Sequence, residues 1–279
     1  MAEIITAAMV QELREATNVG MMECKRALVE AGGDKEKAVK LLRERGMAVA
    51  AKKSTRTANQ GLVCSFVKGD GSTGSLIEVN CETDFVARNA SFQAFVKELS
   101  VEAAEIDGSL AQQAAARVTA RIAEIGENII VKRNLRFVRQ GPGLVLSYIH
   151  LGGKVGVLLE FGCGKAETAG TAGFRDLAKD ITLHIAAASP KYLSRKDVPA
   201  EVVAAEREIY AKQVEGKPAA MVEKITDGKM GKYYQQVCLL EQIFVRDQET
   251  VITKLIELKG KELGDVLSIR RFTRYQLGE

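Results

Sequence analysis

The chain has 279 residues, of which 46% are hydrophobic and 27% charged, a composition typical of a globular protein with about two domains. The 40 basic residues against 36 acidic ones give a net charge of only +4, so nucleic-acid binding is not expected as the main task. No apolar run reaches the roughly 18 residues of a membrane span, and five cysteines without a C-x-x-C pair favour reduced thiols in a cytoplasmic protein.

Residues 1–54 form the first predicted unit, which consists of three short helices. Asp34 is a suitable N-cap for the third of them. Met21 and Met22 stand where the helical register favours polar side chains. Two adjacent methionines can form an adaptable contact surface, although a corner of the core explains their spacing equally well.

The middle of the chain repeats itself. Residues 61–104 align without a gap on residues 143–186, at an offset of 82 residues. Each copy begins with a predicted β-hairpin that turns at glycines. Each copy then continues into a helix, at about 88–105 in the first copy and 171–188 in the second.

The alignment resumes later in the chain, where residues 126–133 match residues 264–271 at an offset of 138 residues. The increase from 82 to 138 requires an insertion of 56 residues in the second copy, between about Ser189 and Phe244. Helical patterns on both sides of Gly216-Lys217-Pro218 predict that the insertion is a helical hairpin. Such a hairpin buries little by itself and is expected to project as an arm, either as scaffold or as a contact surface.

These patterns predict an α+β protein in which each copy forms an antiparallel three-stranded sheet covered by helices on one face. The insertion interrupts the second copy. The predicted domains are a helical domain at 1–54, a first α/β subdomain at 55–140, a second one at 141–188 plus 245–279, and the inserted hairpin at 189–244.

A strand-to-helix corner at Thr83-Asp84-Phe85 is unusual, because a large apolar side chain stands beside a carboxylate where the chain should face solvent. A purely structural interpretation is that Thr83 or Asp84 caps the helix and Phe85 folds back onto the sheet. At the same offset of 82, the second copy has Lys165-Ala166-Glu167. The duplication therefore preserves the scaffold around this corner and not the tripeptide itself.

Motifs for covalent catalysis and nucleotide binding fail on residue type or spacing. His150 is expected at the surface, and His184 lies in an apolar helix, where a capped core or surface residue is more common than a base. The stretch Gly162–Ala166 lacks the spacing of a phosphate loop, and no G-x-S-x-G or metal-ligand pattern is present. The basic stretch at Lys132-Arg133 has no interleaved aromatic residues and is expected on a solvated face.

Four segments together resemble the family of bacterial translation elongation factor Ts. They are Thr17–Leu28, Glu78–Ala87, His184–Ala187 with Pro190–Leu193, and Cys238–Gln242. The resemblance implies a ubiquitin-associated-like helical domain, two related α/β subdomains and an inserted coiled-coil hairpin. It also implies a guanine-nucleotide exchange factor without covalent chemistry and without a cofactor, whose partner is the GTPase elongation factor Tu.

The resemblance further implies site residues. The segment Thr83, Asp84, Phe85 and Val86 is expected to enter the partner beside its Mg²⁺ site. The residues expected to bind the partner are Arg14, Met21, Met22, Lys25, His184, Phe244 and Val245. Some members have methionine at the position of Arg246, which is therefore left unassigned.

Elongation factor Tu is expected to be bound in its GDP-bound or nucleotide-free state, with no membrane and no direct nucleic-acid contact. The sequence leaves open whether two copies of the chain form a homodimer through the helical arm. Two other classes of protein also remain as alternatives for the function. An adaptor built on the helical module would bind through residues 1–54 alone, and a nucleotide-using enzyme would bind GTP directly.

Overall fold

The structure is a computed structural model that describes residues 5–17, 19–216 and 218–279. The chain is a mixed α+β protein with two antiparallel three-stranded sheets, which confirms the predicted class, and eleven α-helices lie within the described residues. It divides into two compact units. Unit 1 contains the residues up to Cys64, Ile77–Leu135 and Leu277–Glu279, and unit 2 contains Ser65–Leu76 and Arg136–Gln276. The finer division into four domains stays a prediction.

The helices are α1 (Ala7–Thr17), α2 (Met21–Glu30), α3 (Lys35–Lys53), α4 (Asp84–Arg88), α5 (Ala90–Ala103), α6 (Leu110–Gln113), α7 (Ala115–Ile125), α8 (Ala172–Ala188), α9 (Ala200–Lys212), α10 (Ala219–Val237) and α11 (Ile252–Leu263). The strands are β1 (Gln60–Val67), β2 (Thr73–Cys81), β3 (Ile130–Val138), β4 (Gly143–His150), β5 (Val155–Cys163) and β6 (Leu267–Gln276). The middle strand is β2 in the first sheet and β5 in the second.

Helices α1, α2 and α3 enclose a small apolar core around Leu13, Leu28 and Leu42. The predicted cap at Asp34 is confirmed, since its carboxylate accepts a hydrogen bond from the backbone N–H of Lys37 at 3.0 Å. Helix α3 also packs on α7, and Ala50 in its second half lies against the core of the first sheet. One helix therefore belongs to two hydrophobic cores within unit 1.

The two copies of the duplication bury similar cores. In the first, apolar side chains of β2 pack on α5, with Phe92 fully buried. In the second, Phe161 of β5 stacks on Phe174 of α8, with the ring centroids 4.8 Å apart. The helices predicted at 88–105 and 171–188 are α5 and α8. Helices α9 and α10 of the insertion pack against each other, and Lys217, in the predicted break between them, lies outside the described residues.

The middle strands are buried along their whole length, although a period-two pattern is typical of a strand with one wet face. Glu78 and Glu160 occupy equivalent positions in the two copies, and both are fully buried. Arg133 pairs with Glu78 and Arg271 pairs with Glu160, each through Nε at 2.7 Å. The expectation that Lys132-Arg133 forms a solvated face is therefore wrong for Arg133, because a buried carboxylate requires a charged partner.

Candidate functional site

The strand-to-helix corner after β2 turns its aromatic side chain outward. Thr83 is the N-cap of α4, and its hydroxyl accepts from the backbone N–H of Val86 at 3.3 Å. Ala87 is buried and Val86 packs on the core of the first sheet. Phe85 points the other way and is 82% exposed. The capping half of the structural interpretation is thus confirmed, whereas the folding back of Phe85 onto the sheet is wrong.

The position of Phe85 does not favour folding stability. Burying an aromatic side chain of this size contributes about 1.5–3 kcal/mol, and the exposed ring does not make this contribution. Its neighbour Asp84 forms an ion pair with Arg88 one helical turn later, at 3.1 Å. An exposed aromatic ring beside a carboxylate, on a helix fixed to the sheet by Val86 and Ala87, is well suited to enter a pocket of another molecule.

The backbone on the strand side of the corner is held by Glu127, which the sequence analysis did not single out. Its carboxylate accepts from the backbone N–H groups of Glu82 at 3.1 Å and Thr83 at 3.0 Å. The Thr83 hydroxyl donates a third hydrogen bond to it, at 2.6 Å. A signal was present in the sequence, because the duplication aligns Glu127 with Asp265, and both are acidic.

The helical region of unit 1 exposes the residues that were expected to bind a partner there. Arg14 lies on α1, and Met21, Met22 and Lys25 lie in the first half of α2, all on the surface. Val29 was not among the expected contacts, but it is also exposed and lies seven residues, or about two helical turns, after Met22. The apolar surface of α2 is therefore longer than the two methionines alone.

His184 of α8, which the family resemblance implies as a partner contact, is fully buried in the free chain, so the core alternative for this histidine is the one observed. Its Nε2–H donates to Gln242 Oε1 at 2.9 Å, and its Nδ1 accepts from the backbone N–H of Val245 at 3.3 Å. These two bonds require the neutral imidazole with its proton on Nε2. Phe244 is also buried, whereas Val245 is exposed. Of the three residues, His184 and Phe244 are buried and hold the segment around Val245 in place, whereas Val245 itself lies on the surface.

Burial lowers the pKa of His184 below its ordinary value of 6.5, and the hydrogen bond with Gln242 opposes this only in part. The unfolded chain therefore binds more protons than the folded chain as the pH falls through 6.5. The stability linked to neutral His184 is fully present above about pH 6.5 and is lost as the pH falls towards the folded-state pKa.

We expect the free energy of unfolding to fall more steeply between pH 7.5 and pH 5.5 in the natural chain than in the His184→Gln variant, because the variant has no imidazole to protonate. The extra slope is at most about 1.4 kcal/mol per pH unit. Urea denaturation at a series of pH values measures it, and the slopes are compared because the variant also changes absolute stability. Parallel curves would show that His184 does not titrate with unfolding.

Two other types of site receive no support. Among residues 5–17, 19–216 and 218–279, no three histidine, cysteine or acidic side chains come together as a metal site. No described helix is long and apolar enough to cross a membrane. The expected contact residues that lie on the described surface belong to three features, which are the exposed corner, the apolar surface of α2 and the segment around Val245.

Comparison with known proteins gives a consistent result. The family model described as Elongation factor TS matches residues 82–279. Proteins named Elongation factor Ts from Trichlorobacter lovleyi and Nitratidesulfovibrio vulgaris are each 44% identical, over 99% of this chain and 93% and 96% of their own lengths. The protein of that name from Clostridium perfringens is 46% identical over 99% of this chain and 94% of its own length. The chain belongs to the elongation factor Ts family.

Membership assigns the chain to the elongation step of protein synthesis, as a translation factor and not as a catalyst of covalent chemistry. The match covers the corner, α8 and the segment around Val245, and the relatives also cover the helical region of unit 1. All three surface features thus lie within the parts of the chain that family members share.

Proposed function

We propose that the chain is a guanine-nucleotide exchange factor that binds elongation factor Tu in the cytoplasm and accelerates the release of GDP. The observation that carries the proposal is Phe85, an aromatic side chain left 82% exposed beside Asp84 on a helix that is otherwise fixed to the core. Membership of the elongation factor Ts family supports elongation factor Tu as the partner.

In this proposal, Asp84 and Phe85 enter the partner next to its bound Mg²⁺. The ion bridges phosphate oxygens and few protein groups, so disturbing its ligands and waters weakens the hold on GDP. Burying Phe85 contributes only about 1.5–3 kcal/mol, whereas a nanomolar nucleotide is held by roughly 12 kcal/mol. Other contacts must therefore provide most of the binding free energy, and the surface of α2 and the segment around Val245 are the candidates.

Thermodynamic linkage supplies the test. A factor that weakens GDP binding must itself bind nucleotide-free elongation factor Tu more tightly than the GDP-bound form, by the same ratio. Calorimetric titration of both forms measures the two dissociation constants. We expect a ratio of at least about 100, because couplings of 1–3 kcal/mol are ordinary and an exchange factor lies at the upper end. Equal affinities for the two forms, or no binding, would exclude exchange as the function.

The surface of α2 is expected to contribute affinity and not the release step. Met22→Ala should raise the dissociation constant for nucleotide-free elongation factor Tu about 5- to 30-fold, since it removes roughly 1–2 kcal/mol of apolar burial. The rate of GDP release at saturating concentrations of the variant should stay close to that of the natural chain.

Met47→Ala is a matched control for this prediction. Met47 lies on α3 and is 64% exposed, against 65% for Met22, and it is not among the expected contact residues. An equal loss of affinity in both variants would show that the effect is not specific to α2. These substitutions are preferable to deletion of residues 1–54, because α3 contributes to the core of the first sheet.

A further inference from the structure

Glu127 lies between α7 and β3, and its carboxylate forms hydrogen bonds with the residues that lead from β2 into the exposed corner. One of its oxygens accepts from the backbone N–H groups of Glu82 and Thr83, and the other accepts the Thr83 hydroxyl proton. The same hydroxyl oxygen accepts from Val86 and so caps α4. A single carboxylate thus fixes both the end of the strand and the orientation of the residue that starts the helix.

The loop that contains Glu127 is itself stabilised by contacts from the corner. The carboxylate of Glu82 accepts from the backbone N–H of Asn128 at 2.7 Å, and it lies 3.5 Å from the guanidinium of Arg56. The Cys81 thiol donates to the carbonyl oxygen of Thr83 at 3.2 Å. Since each loop holds the other through side chain and backbone, the corner has little freedom to rotate about the strand.

The second copy contains the same brace at a corner that presents no aromatic residue. Asp265 accepts from the backbone N–H groups of Gly164 and Lys165, at 3.1 and 3.0 Å, and the Cys163 thiol donates to the carbonyl oxygen of Lys165. Lys165 has no hydroxyl to offer, and its ammonium group donates to Gly264 instead. Asp265 also forms a side-chain hydrogen bond with Thr168, but Thr168 lies inside the 3₁₀ helix 166–170 and is not its N-cap. Among the described residues of the two corners, the connection from the carboxylate through the hydroxyl of the N-cap residue is therefore found in the copy that carries Phe85.

We infer that Glu127 is a positioning residue for nucleotide exchange, which acts by fixing Thr83 and thereby the direction in which Asp84 and Phe85 leave the sheet. The inference rests on the proposed function of the corner. Phe85 follows two residues after Thr83 in a helix of five residues, so a rotation at the cap moves the ring directly. A displacement of about 1 Å in a positioned group can cost on the order of 100-fold in rate.

The test measures the release of fluorescent GDP from elongation factor Tu as a function of the concentration of the factor. Glu127→Ala is expected to lower the maximal rate by about 10- to 100-fold and to change the half-saturating concentration by less than about threefold. Glu127→Gln retains one oxygen acceptor and should recover most of the maximal rate, to within about two- to fivefold, because neutral hydrogen bonds are weaker than charge-assisted ones.

Asp265→Ala is the matched control, since it removes the equivalent brace in the second copy. It should lower the melting temperature about as much as Glu127→Ala and leave the maximal rate of GDP release unchanged. A natural maximal rate in Glu127→Ala, or equal losses of rate in the Glu127→Ala and Asp265→Ala variants, would overturn the inference. If Glu127→Ala does not fold, Thr83→Val is measured instead, because it removes the hydroxyl through which Glu127 acts, and a natural maximal rate in Thr83→Val would overturn the inference.

Phe85→Ala, measured alongside, separates this inference from the proposal on which it depends. If the maximal rate of GDP release is low for Phe85→Ala but natural for Glu127→Ala, only the positioning role of Glu127 is excluded. A natural maximal rate in Phe85→Ala removes the role of the corner in exchange, and the positioning role with it.

Discussion

Phe85→Ala is expected to lower the maximal rate of GDP release from elongation factor Tu by about 10- to 150-fold, while most of the affinity for the nucleotide-free partner is kept. The ring is 82% exposed in the free chain, so its removal leaves no cavity in the core. The loss corresponds to the roughly 1.5–3 kcal/mol gained when such a ring is buried, applied to the release step alone. Stopped-flow measurements with fluorescent GDP at saturating factor give the rate.

Val266→Ala is the control for this variant, because Val266 is 79% exposed and lies beside Asp265 at the equivalent corner of the second copy. It should leave the maximal rate unchanged. A second measurement addresses the Mg²⁺ site itself. When the ion is removed from the partner with EDTA, the difference between Phe85→Ala and the natural chain should shrink. A difference that persists at full size without Mg²⁺ would contradict an action on the metal site.

Glu160→Ala is expected to lower the free energy of unfolding by about 3–5 kcal/mol, the usual cost of removing one partner of a buried ion pair. The carboxylate is fully buried and accepts from the backbone N–H of Gln140 at 2.6 Å. Arg271 approaches it at 2.7 Å and Arg270 at 3.3 Å. Without Glu160, both guanidinium groups lose their partner carboxylate. Chemical denaturation measures the change.

Glu208→Ala provides the comparison for an exposed ion pair. Glu208 pairs with Lys212 at 2.6 Å, but both side chains are largely exposed. Exposed helical pairs contribute little to stability, so this variant should be almost as stable as the natural chain. A loss below about 1 kcal/mol for Glu160→Ala would mean that the buried cluster is replaceable and that its recurrence in both copies is not required for folding.

Much of the fold could be predicted because the chain is duplicated. Shared glycines and apolar residues at a constant offset located both hairpins and both long helices, and the break in the offset located the insertion. Local rules were also sufficient at Asp34 and Thr83, where a short polar side chain before a helix caps it. These features depend on residues that are close in sequence, and they can therefore be read from it.

The features that were missed depend on contacts between distant residues. Arg133 looked solvated because its buried partner Glu78 lies 55 positions away. The hydrogen bonds that enclose His184 could not be predicted, because Gln242 and Val245 lie 58 and 61 positions away, beyond a long insertion. The direction of Phe85 could not be read from the corner alone, because it depends on which side of a short helix meets the core.

The candidate site was accordingly only partly predictable. The resemblance to a family pointed to the tripeptide, and the duplication showed that the second copy lacks it. Glu127 was not singled out, because its three hydrogen bonds to the corner span 44 and 45 positions in the chain. A carboxylate that recurs at the same place in two copies is a usable signal, because it suggests a shared role in the scaffold.

The most direct test of the proposed exchange function is the release of fluorescent GDP from elongation factor Tu in the presence of Mg²⁺, measured with and without this protein. We expect release to accelerate with increasing concentration of the natural chain until it saturates, and we expect Phe85→Ala to saturate at a rate at least about tenfold lower. A release rate that does not change when the natural chain is added would contradict the exchange function.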